Sequence, residues 1–347
     1  MATIVKAFGT QAPHQDLEPL YIKRRELQAH DVELEILYCG ICHSDLHTIA
    51  NDWKGTTYPV VPGHEILGRV IQMGPSVSKF KKGDLVGIGC IVDSCGHCEH
   101  CQDGNEQFCE EGATISFNSP DKHLGGMTYG GFAKTYVCNE NYVVHIPPFS
   151  SLPEVAPLLC AGITVYSPLK HWKVGPDTRV GILGLGGLGH LAIKIAKAMG
   201  AQVTVFTTSE SKREDAMRLG ADEVVNSTQR DELKRCTKQD FILDTIAAVH
   251  DINTYLKLLK VDGNLVLVGL PAEALQVGAF HLIKGRKSFS GSNIGGIAET
   301  QEMLDFCFRH NITATCELIS VSEINQAFQR LKRGYVKYRF VVDMKTL

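Results

Sequence analysis

The chain has 347 residues, of which 44% are hydrophobic and 21% are charged, and its formal net charge is -3. This length exceeds what a single hydrophobic core usually serves, so we expect two domains. The small charge gives no reason to expect nucleic acid or an anionic membrane surface as a partner. The segment MATIVKAFGTQAPH has no apolar stretch typical of a secretion signal, and no apolar run reaches membrane-spanning length. Twelve cysteines without such a signal favour reduced thiols and metal binding, and we expect a cytoplasmic protein.

The first 150 residues contain short strand-like segments separated by Gly and Pro. The predicted strands are Val32–Tyr38, Glu65–Met73, Asp84–Ile88, Ala133–Val137 and Tyr142–Ile146. Between them, residues 51–62 and 105–128 are irregular connections, long enough to suggest binding or lid functions. This part of the chain is predicted to be a strand-rich domain of barrel-like character.

Strand and helix signals alternate after Pro147 and Pro148. The predicted elements are a helix at Glu154–His171, a strand at Arg179–Leu183, a helix at Gly187–Met199, a strand at Gln202–Phe206, a helix at Ser211–Leu219, and further strands at Glu223–Val225, Asp240–Asp244, Asn264–Val268 and Ser288–Gly291. Such alternation predicts a parallel sheet with helices on both faces. The last stretch is predicted as helix, strand, helix and strand at Ala298–His310, Cys316–Ile319, Val321–Lys332 and Tyr338–Val342. Composition leaves open whether this stretch extends the sheet or returns to the first domain.

Four cysteines are clustered in the strand-rich half. They are Cys95, Cys98, Cys101 and Cys109, in the spacing C-x2-C-x2-C-x7-C. Four thiolates so close together can bind one Zn²⁺ tetrahedrally, whereas disulfides across two-residue gaps would be strained. All four metal positions would be filled by protein, so the cluster predicts a structural zinc site.

A glycine-rich segment follows the predicted strand Arg179–Leu183 and opens the next predicted helix. It reads Gly184-Leu185-Gly186-Gly187-Leu188-Gly189. In this context Gly184 permits a tight turn, Gly186 lets the backbone approach a pyrophosphate, and Gly189 allows helix and strand to pack closely. The helix N-terminus then offers N–H groups and the positive end of its dipole to the phosphates. The segment therefore predicts a dinucleotide-binding site.

The residues after the second strand of this unit indicate which dinucleotide binds. An NAD site usually has Asp or Glu there, to accept a hydrogen bond from the ribose 2′-hydroxyl. This chain has Thr207, Thr208 and Ser209, followed by Lys212 and Arg213. Hydroxyls and two cations favour a 2′-phosphate, which a carboxylate would repel, so NADP(H) is preferred. The alternative is that the two cations are solvated residues on the first turn of a helix, and a Glu210 side chain pointing into the pocket would weaken the preference.

Two further segments, residues 38–47 and 62–65, are too polar for simple core segments. A catalytic zinc needs about three protein ligands and one open position, and Cys42 and His64 are natural candidates. Spacing does not identify the third ligand. The candidates are Cys39, Cys90, Cys138 and Cys160, each of which is more often a plain buried thiol.

Taken together, these segments resemble a known family. The matching segments are CGICHSDLH, GHEILGRV, SCGHCEHCQDGNEQFC, GGFAKTYV, PLLCAGITVYSPL and GILGLGGLGHLAIKIAKAMG. In this order over almost the whole chain, they resemble the zinc-dependent medium-chain alcohol dehydrogenases, and within them the cinnamyl alcohol dehydrogenase branch. The resemblance implies an α/β fold with a strand-rich GroES-like catalytic zinc domain at 1–151, a Rossmann domain with a doubly wound parallel sheet at 152–292, and a return to the catalytic domain at 293–347. It also places the active-site cleft between the two domains.

The resemblance assigns roles to particular residues. It implies that Cys160 is the third ligand and that Glu65 is an acid able to approach the metal. Asp45 would hydrogen-bond His64 and fix its tautomer. Ser44 would hydrogen-bond the reacting oxygen, and a proton relay through the nicotinamide ribose would end at His47. His43 matches a residue near the cofactor phosphates.

The predicted function is a zinc-dependent, NADP(H)-linked alcohol dehydrogenase or aldehyde reductase with two Zn²⁺ per chain. Zinc polarises the substrate carbonyl and NADPH delivers hydride. An apolar slot for aromatic or medium-chain aldehydes is expected from Trp53, Tyr58, Phe117, Tyr129 and Ile294, although core packing is the alternative for each. Asn293 departs from the bulky aromatic often found in enzymes acting on lignin precursors, which favours a broad aldehyde reductase.

Two alternative functions and one expectation about assembly complete the sequence-based prediction. An NAD-linked alcohol or polyol dehydrogenase of the same fold is the alternative enzyme. A non-catalytic relative is a different class, and the joint presence of Cys42, His64 and Cys160 argues against it. A homodimer is a family expectation.

Overall fold

The structure is a computed structural model that describes residues 2–271 and 273–347. The strands are β1 (Thr3–Gly9), β2 (Glu18–Arg24), β3 (Asp31–Ile41), β4 (Ile66–Met73), β5 (Leu85–Ile88), β6 (Ile91–Asp93), β7 (Thr114–Ile115), β8 (Thr135–Asn139), β9 (Val144–His145), β10 (Arg179–Leu183), β11 (Gln202–Thr207), β12 (Glu223–Asn226), β13 (Gln239–Asp244), β14 (Leu259–Leu267), β15 (Ser288–Gly291), β16 (Cys316–Ser320) and β17 (Arg339–Asp343). The α-helices are α1 (His43–Ala50), α2 (Glu99–Gln102), α3 (Ala161–His171), α4 (Gly189–Ala198), α5 (Arg213–Leu219), α6 (Arg230–Arg235), α7 (Ile252–Leu256), α8 (Ala279–Ile283), α9 (Ile297–Arg309) and α10 (Ile324–Lys332). Two compact units result, Met1–Cys160 with Gly295–Leu347, and Ala161–Ile294.

The first unit is built on a sheet with the strand order β16-β17-β3-β4-β5-β9, in which β8 also pairs with β3. Strand β17 runs antiparallel to β3 and places Phe340 opposite Ile41. This pairing answers the question that composition left open, because the last stretch joins the sheet formed by the N-terminal strands. Helix α10 packs on the core through Ile324, Ala327, Phe328 and Leu331, which recur at helical spacing.

The second unit contains a six-stranded parallel sheet with the order β12-β11-β10-β13-β14-β15. Strands β10 and β13 are almost continuously buried, and each has apolar residues at its centre, as is typical of parallel strands covered by helices on both faces. The predicted α/β class with a parallel sheet is therefore confirmed. Strand order reverses between β10 and β13, and ligands of such sheets bind beyond the carboxyl ends of the strands at this point.

Some local predictions were wrong. The helix predicted at Glu154–His171 is two elements, a 3₁₀ helix at Pro153–Leu159 and then α3, with Cys160 between them in a non-helical conformation. Pro157 lies inside the first element, and proline cannot donate the backbone hydrogen bond that a continuous α-helix needs. Strands β1 and β2, which pair with each other, were not predicted.

Within the two described ranges, no helix combines the length and apolar character needed to cross a bilayer.

Candidate active site

The start of α1 fixes Cys42. This residue is the N-terminal cap of the helix and has an extended backbone. Its N–H donates to Asp45 Oδ2 at 2.8 Å, three residues further along the chain. An acidic residue in the first turn also interacts favourably with the helix dipole. The short segment between β3 and α1 therefore fixes the backbone of Cys42.

Asp45 also holds the segment before β4. Its Oδ1 accepts hydrogen bonds from the Gly63 N–H at 2.9 Å and from His64 Nδ1 at 3.1 Å, and the carboxylate is fully buried. Because a carboxylate only accepts, Nδ1 of His64 carries a proton, and Nε2 is the ring nitrogen left to bind a metal. One buried carboxylate thus orients both Cys42 and His64.

Four side chains converge in this unit. The ligand atoms of Cys42, His64, Glu65 and Cys160 all lie within 4.8 Å of one another, and all four residues are buried. Two thiols, an imidazole and a carboxylate are donors that suit Zn²⁺. Both Glu65 carboxylate oxygens are buried and accept no hydrogen bond in the part of the chain that the structure describes, although an Arg339 nitrogen lies 3.3 Å from Oε1. Buried acceptors without donors fit a cation in this cluster.

Of the four cysteines considered for the third position, Cys160 joins this group. It lies at the break between the 3₁₀ helix Pro153–Leu159 and α3. The Cys39 thiol instead points to the Gly40 carbonyl, and the Cys138 thiol to that of Val92. Cys90 lies beside Cys160 but outside the group of four.

Glu65 has a charged neighbour that the sequence did not reveal. Arg339, at the start of β17, approaches Glu65 Oε1 at 3.3 Å, and both side chains are buried. Burial raises the pKa of Glu65 to about 7, while the Arg339 guanidinium acts in the opposite direction. Arg339 also donates to the Ile41 carbonyl at 3.3 Å. No sequence motif marks Arg339, because its position depends on the pairing of β17 with β3.

The predicted relay residues lie on α1. Ser44 Oγ is 3.6 Å from Cys42 Sγ, and His47 is partly exposed one turn further along. His47 Nδ1 lies 2.8 Å from Asp52 Oδ2, and the centre of its ring is 5.0 Å from that of Trp53. Asp52 was not among the predicted site residues, and because it lies beyond the end of α1, helical spacing gave no signal for it.

The predicted pocket residues are only partly brought together. Phe117 is buried and stacks on the His64 ring at 5.6 Å, and Trp53 contacts His47. The Tyr58 hydroxyl donates to the Ile49 carbonyl at 2.8 Å, and Tyr129 packs against the hydrophobic core. Asn293 is exposed and belongs to the other unit. The structure therefore places aromatic side chains beside His64 and His47.

The four-cysteine cluster is assembled as a second group. Its members are Cys95, Cys98, Cys101 and Cys109, whose thiols lie within 4.8 Å of one another. Backbone N–H groups point to the sulfurs, with Cys98 N 3.3 Å from Cys95 Sγ and Cys95 N 3.4 Å from Cys109 Sγ. Such hydrogen bonds favour the thiolate. At Cys98, backbone hydrogen bonds from Glu110 and Cys101 lower the pKa to about 6. The arrangement fits a closed tetrahedral site.

The glycine-rich loop lies between β10 and α4. A Cβ atom on Gly189 would be 2.1 Å from the Gly184 carbonyl oxygen, so only glycine permits this approach. Gly186, by contrast, has open space around it. His190 is fully buried and its Nδ1 lies 3.1 Å from the Gly186 carbonyl, an arrangement that supports the loop and was not predicted.

The two predicted cations beyond β11 differ in their surroundings. Lys212 Nζ donates to the Leu185 carbonyl in the glycine-rich loop at 2.9 Å. Arg213 forms ion pairs with Glu210 and Glu232. The Glu210 carboxylate thus points to the Arg213 guanidinium, which bears on the earlier question of whether Glu210 points into the cofactor pocket.

Comparisons with known proteins agree with this geometry. The family described as "Alcohol dehydrogenase GroES-like domain" matches residues 28–148, and the family described as "Zinc-binding dehydrogenase" matches residues 187–309. The chain is 54% identical over 346 residues to the aldehyde reductase YahK of Escherichia coli (strain K12), covering 99% of each chain.

Two solved structures share the whole fold. Cinnamyl alcohol dehydrogenase SbCAD4 from Sorghum bicolor has a TM-score of 0.96 and 41% identity, with 99% of this chain and 98% of that chain covered. The CAD from Helicobacter pylori, in complex with NADP(H), has a TM-score of 0.94 and 42% identity, with 99% of each chain covered. The predicted GroES-like domain and the predicted family are confirmed. The chain belongs to the zinc-dependent medium-chain alcohol dehydrogenases, in the cinnamyl alcohol dehydrogenase-like branch, and is a zinc-dependent alcohol or aldehyde dehydrogenase.

Proposed function

We propose that the protein is an NADP(H)-linked reductase of aromatic and medium-chain aldehydes, which also catalyses the reverse oxidation. The catalytic zinc ligands would be Cys42, His64 and Cys160. The observation that carries this proposal is the buried convergence of these three side chains with Glu65. A set of three ligands with a fourth, exchangeable position is typical of catalytic zinc, whereas a four-thiolate site is closed. The four-cysteine cluster would accordingly bind the structural zinc.

The protein's own groups position the reaction and move its proton. When bound, zinc supplies Lewis acidity and NADPH supplies hydride. Asp45 holds a proton on His64 Nδ1, which leaves Nε2 as the nitrogen that would bind the metal. Ser44 Oγ, close to Cys42, is suited to hydrogen-bond the substrate oxygen. His47 is partly exposed and held by Asp52, so it can exchange a proton with solvent at the end of the relay.

The preference for NADP(H) is supported by the end of β11. Thr207, Thr208 and Ser209 provide hydroxyls where an acidic residue would mark an NAD site. Lys212 contributes a positive charge next to the phosphate-binding loop. The charge of Glu210 is balanced by Arg213, so it offers less repulsion to a 2′-phosphate than an unpaired carboxylate would. The relative from Helicobacter pylori was solved with NADP(H).

The aldehyde preference is supported by the aromatic rings around the cluster. Phe117 against His64 and Trp53 against His47 provide apolar surface close to the reacting groups. The Escherichia coli relative is named an aldehyde reductase. The domain bounds at 151 and 293, the homodimer and the cytoplasmic location stay predictions.

Steady-state kinetics with both coenzymes test the proposal. The panel contains cinnamaldehyde, benzaldehyde and a medium-chain aliphatic aldehyde with NADPH or NADH, and mannitol with NADP⁺ or NAD⁺. We expect kcat/KM to be higher with NADPH and with the aldehydes. Lys212→Ala should lower kcat/KM for NADPH more than for NADH, and Lys234→Ala, an exposed position on α6, is the matched control. A preference for NADH, or mannitol as the better substrate, would contradict the proposal and favour the NAD-linked alcohol or polyol dehydrogenase.

A further inference from the structure

Cys90 is a thiol next to the candidate zinc ligands that the proposed reaction does not use. It lies between β5 and β6, and its carbonyl accepts a hydrogen bond from Ser116 N at 2.8 Å. Cys90 is a residue of intermediate exposure, whereas Cys42 and Cys160 are only 8% and 7% exposed. Cys90 is therefore the most exposed residue of the three.

The backbone around Cys90 is packed against the segment that contains Cys160. A Cβ atom on Gly89 would be only 2.7 Å from the Leu159 carbonyl oxygen. The residues that directly precede the two cysteines are thus in contact. A disulfide needs Cα atoms roughly 4.4–6.8 Å apart, and touching backbones bring the two cysteines towards that range.

The Cys160 thiol interacts with those of both Cys42 and Cys90. Cys42 and Cys160 belong to the group of four candidate ligands, and Cys90 is outside it. Cys90 is therefore a non-ligand thiol in contact with a ligand thiol.

We propose that Cys90 is a peroxide-reactive modification site, at which oxidation forms a Cys90–Cys160 disulfide and removes one ligand of the catalytic metal. In the first step the Cys90 sulfur attacks a hydroperoxide, the O–O bond breaks, and the products are the Cys90 sulfenic acid and water, or an alcohol if the peroxide is organic. In the second step the Cys160 sulfur attacks the sulfenic sulfur, the S–O bond breaks, and a second water leaves. The two thiols lose two electrons, and the peroxide gains them.

Other cysteines are less suited to this chemistry. Those of the four-cysteine cluster are all candidate ligands of one ion. The non-ligand cysteines at 39, 138, 236 and 307 are buried. Cys316 is also partly exposed, but it lies in β16 and outside every candidate metal group found in the described residues. It provides a matched control for oxidation of an accessible, non-ligand thiol.

The experiment exposes the zinc-loaded enzyme to hydrogen peroxide and follows two quantities that do not depend on turnover. Zinc release is measured with a colorimetric chelator, and disulfides are mapped by mass spectrometry of peptides digested without reduction. We expect a Cys90–Cys160 disulfide and release of one zinc per chain, reversed by dithiothreitol and added zinc. Cys90→Ser and Cys90→Ala should release zinc on the order of tenfold more slowly, because the accessible first thiol is missing. Cys316→Ser should behave as the wild type.

Two results would overturn the proposal. One is a Cys42–Cys160 disulfide that forms at the same rate in Cys90→Ser as in the wild type, which would mean that the ligands react directly. The other is a wild-type enzyme that keeps both zincs, or loses one without any disulfide at Cys90. Both substitutions at Cys90 are first checked for two bound zincs and wild-type thermal unfolding, so that a folding defect is recognised.

Discussion

Replacement of Asp45 by Asn should weaken the binding of the catalytic zinc while leaving the structural zinc in place. Three N–H groups point at the buried carboxylate, from Cys42, Gly63 and His64 Nδ1. Asn has nearly the same shape but only one carbonyl oxygen, and its NH₂ group donates. In either orientation of the amide, at least one of the three N–H groups faces another donor.

The expected loss of zinc affinity follows from the N–H group that loses its acceptor. A buried donor left without an acceptor costs about 1–3 kcal/mol. Loss of a partner that orients a metal ligand typically reduces metal affinity by about ten- to hundredfold. Since each tenfold change corresponds to about 1.4 kcal/mol, the two estimates agree, and we expect Asp45→Asn to bind the catalytic zinc about ten- to hundredfold more weakly.

The assay is a titration of the zinc-loaded protein with a competing chelator, in which the bound zinc is counted at each concentration. The first zinc should leave Asp45→Asn at a lower chelator concentration, and the second at the same concentration as in the wild type. Asp52→Asn is the matched control, since Asp52 contacts His47 and not a candidate ligand. Equal release of both zincs from Asp45→Asn and the wild type would refute the assignment of Asp45 as the residue that orients His64.

Three further predictions concern other parts of the chain. Cys101→Ser should lower the free energy of unfolding by several kcal/mol, measured by chemical denaturation, because the structural metal is lost; a variant as stable as the wild type would contradict that role. His47→Ala should reduce kcat by about tenfold or more and leave residual activity, because water replaces the end of the relay in part; an unchanged kcat would exclude His47 from proton transfer. His250 donates to the Asp244 carboxylate at 2.9 Å and to the Ala248 carbonyl at 2.9 Å, and the hydrogen bond to Asp244 raises its pKa. Because the folded pKa lies above the unfolded value of about 6.5, this stabilisation is complete below that pH and is lost as the pH rises through the folded pKa. As the pH rises through the folded pKa, the difference in unfolding free energy between the wild type and His250→Gln should therefore shrink. A difference independent of pH would refute the charged pair.

Much of the architecture could be predicted because its signals are local. Alternating strand and helix patterns indicated the parallel sheet, and β10 and β13 lie within a residue or two of the predicted strands. Turn and break positions were less accurate. The helix predicted across Cys160 failed because apolar periodicity continues through Pro157, where the backbone hydrogen bonding does not.

The sequence by itself determined the features whose parts are neighbours along the chain. The four-cysteine spacing and the glycine-rich loop are of this kind, because all their groups lie close together along the chain. A local sequence pattern is therefore enough to indicate that they form one site. Only the tertiary structure showed which of the candidate cysteines lies with Cys42 and His64, and it alone revealed Arg339 beside Glu65 and Cys90 beside Cys160. These contacts join segments far apart in sequence through the pairing of β17 with β3 and the packing of the residues before Cys160 against Gly89. Such contacts depend on how whole elements pack, and local residue patterns do not specify that packing.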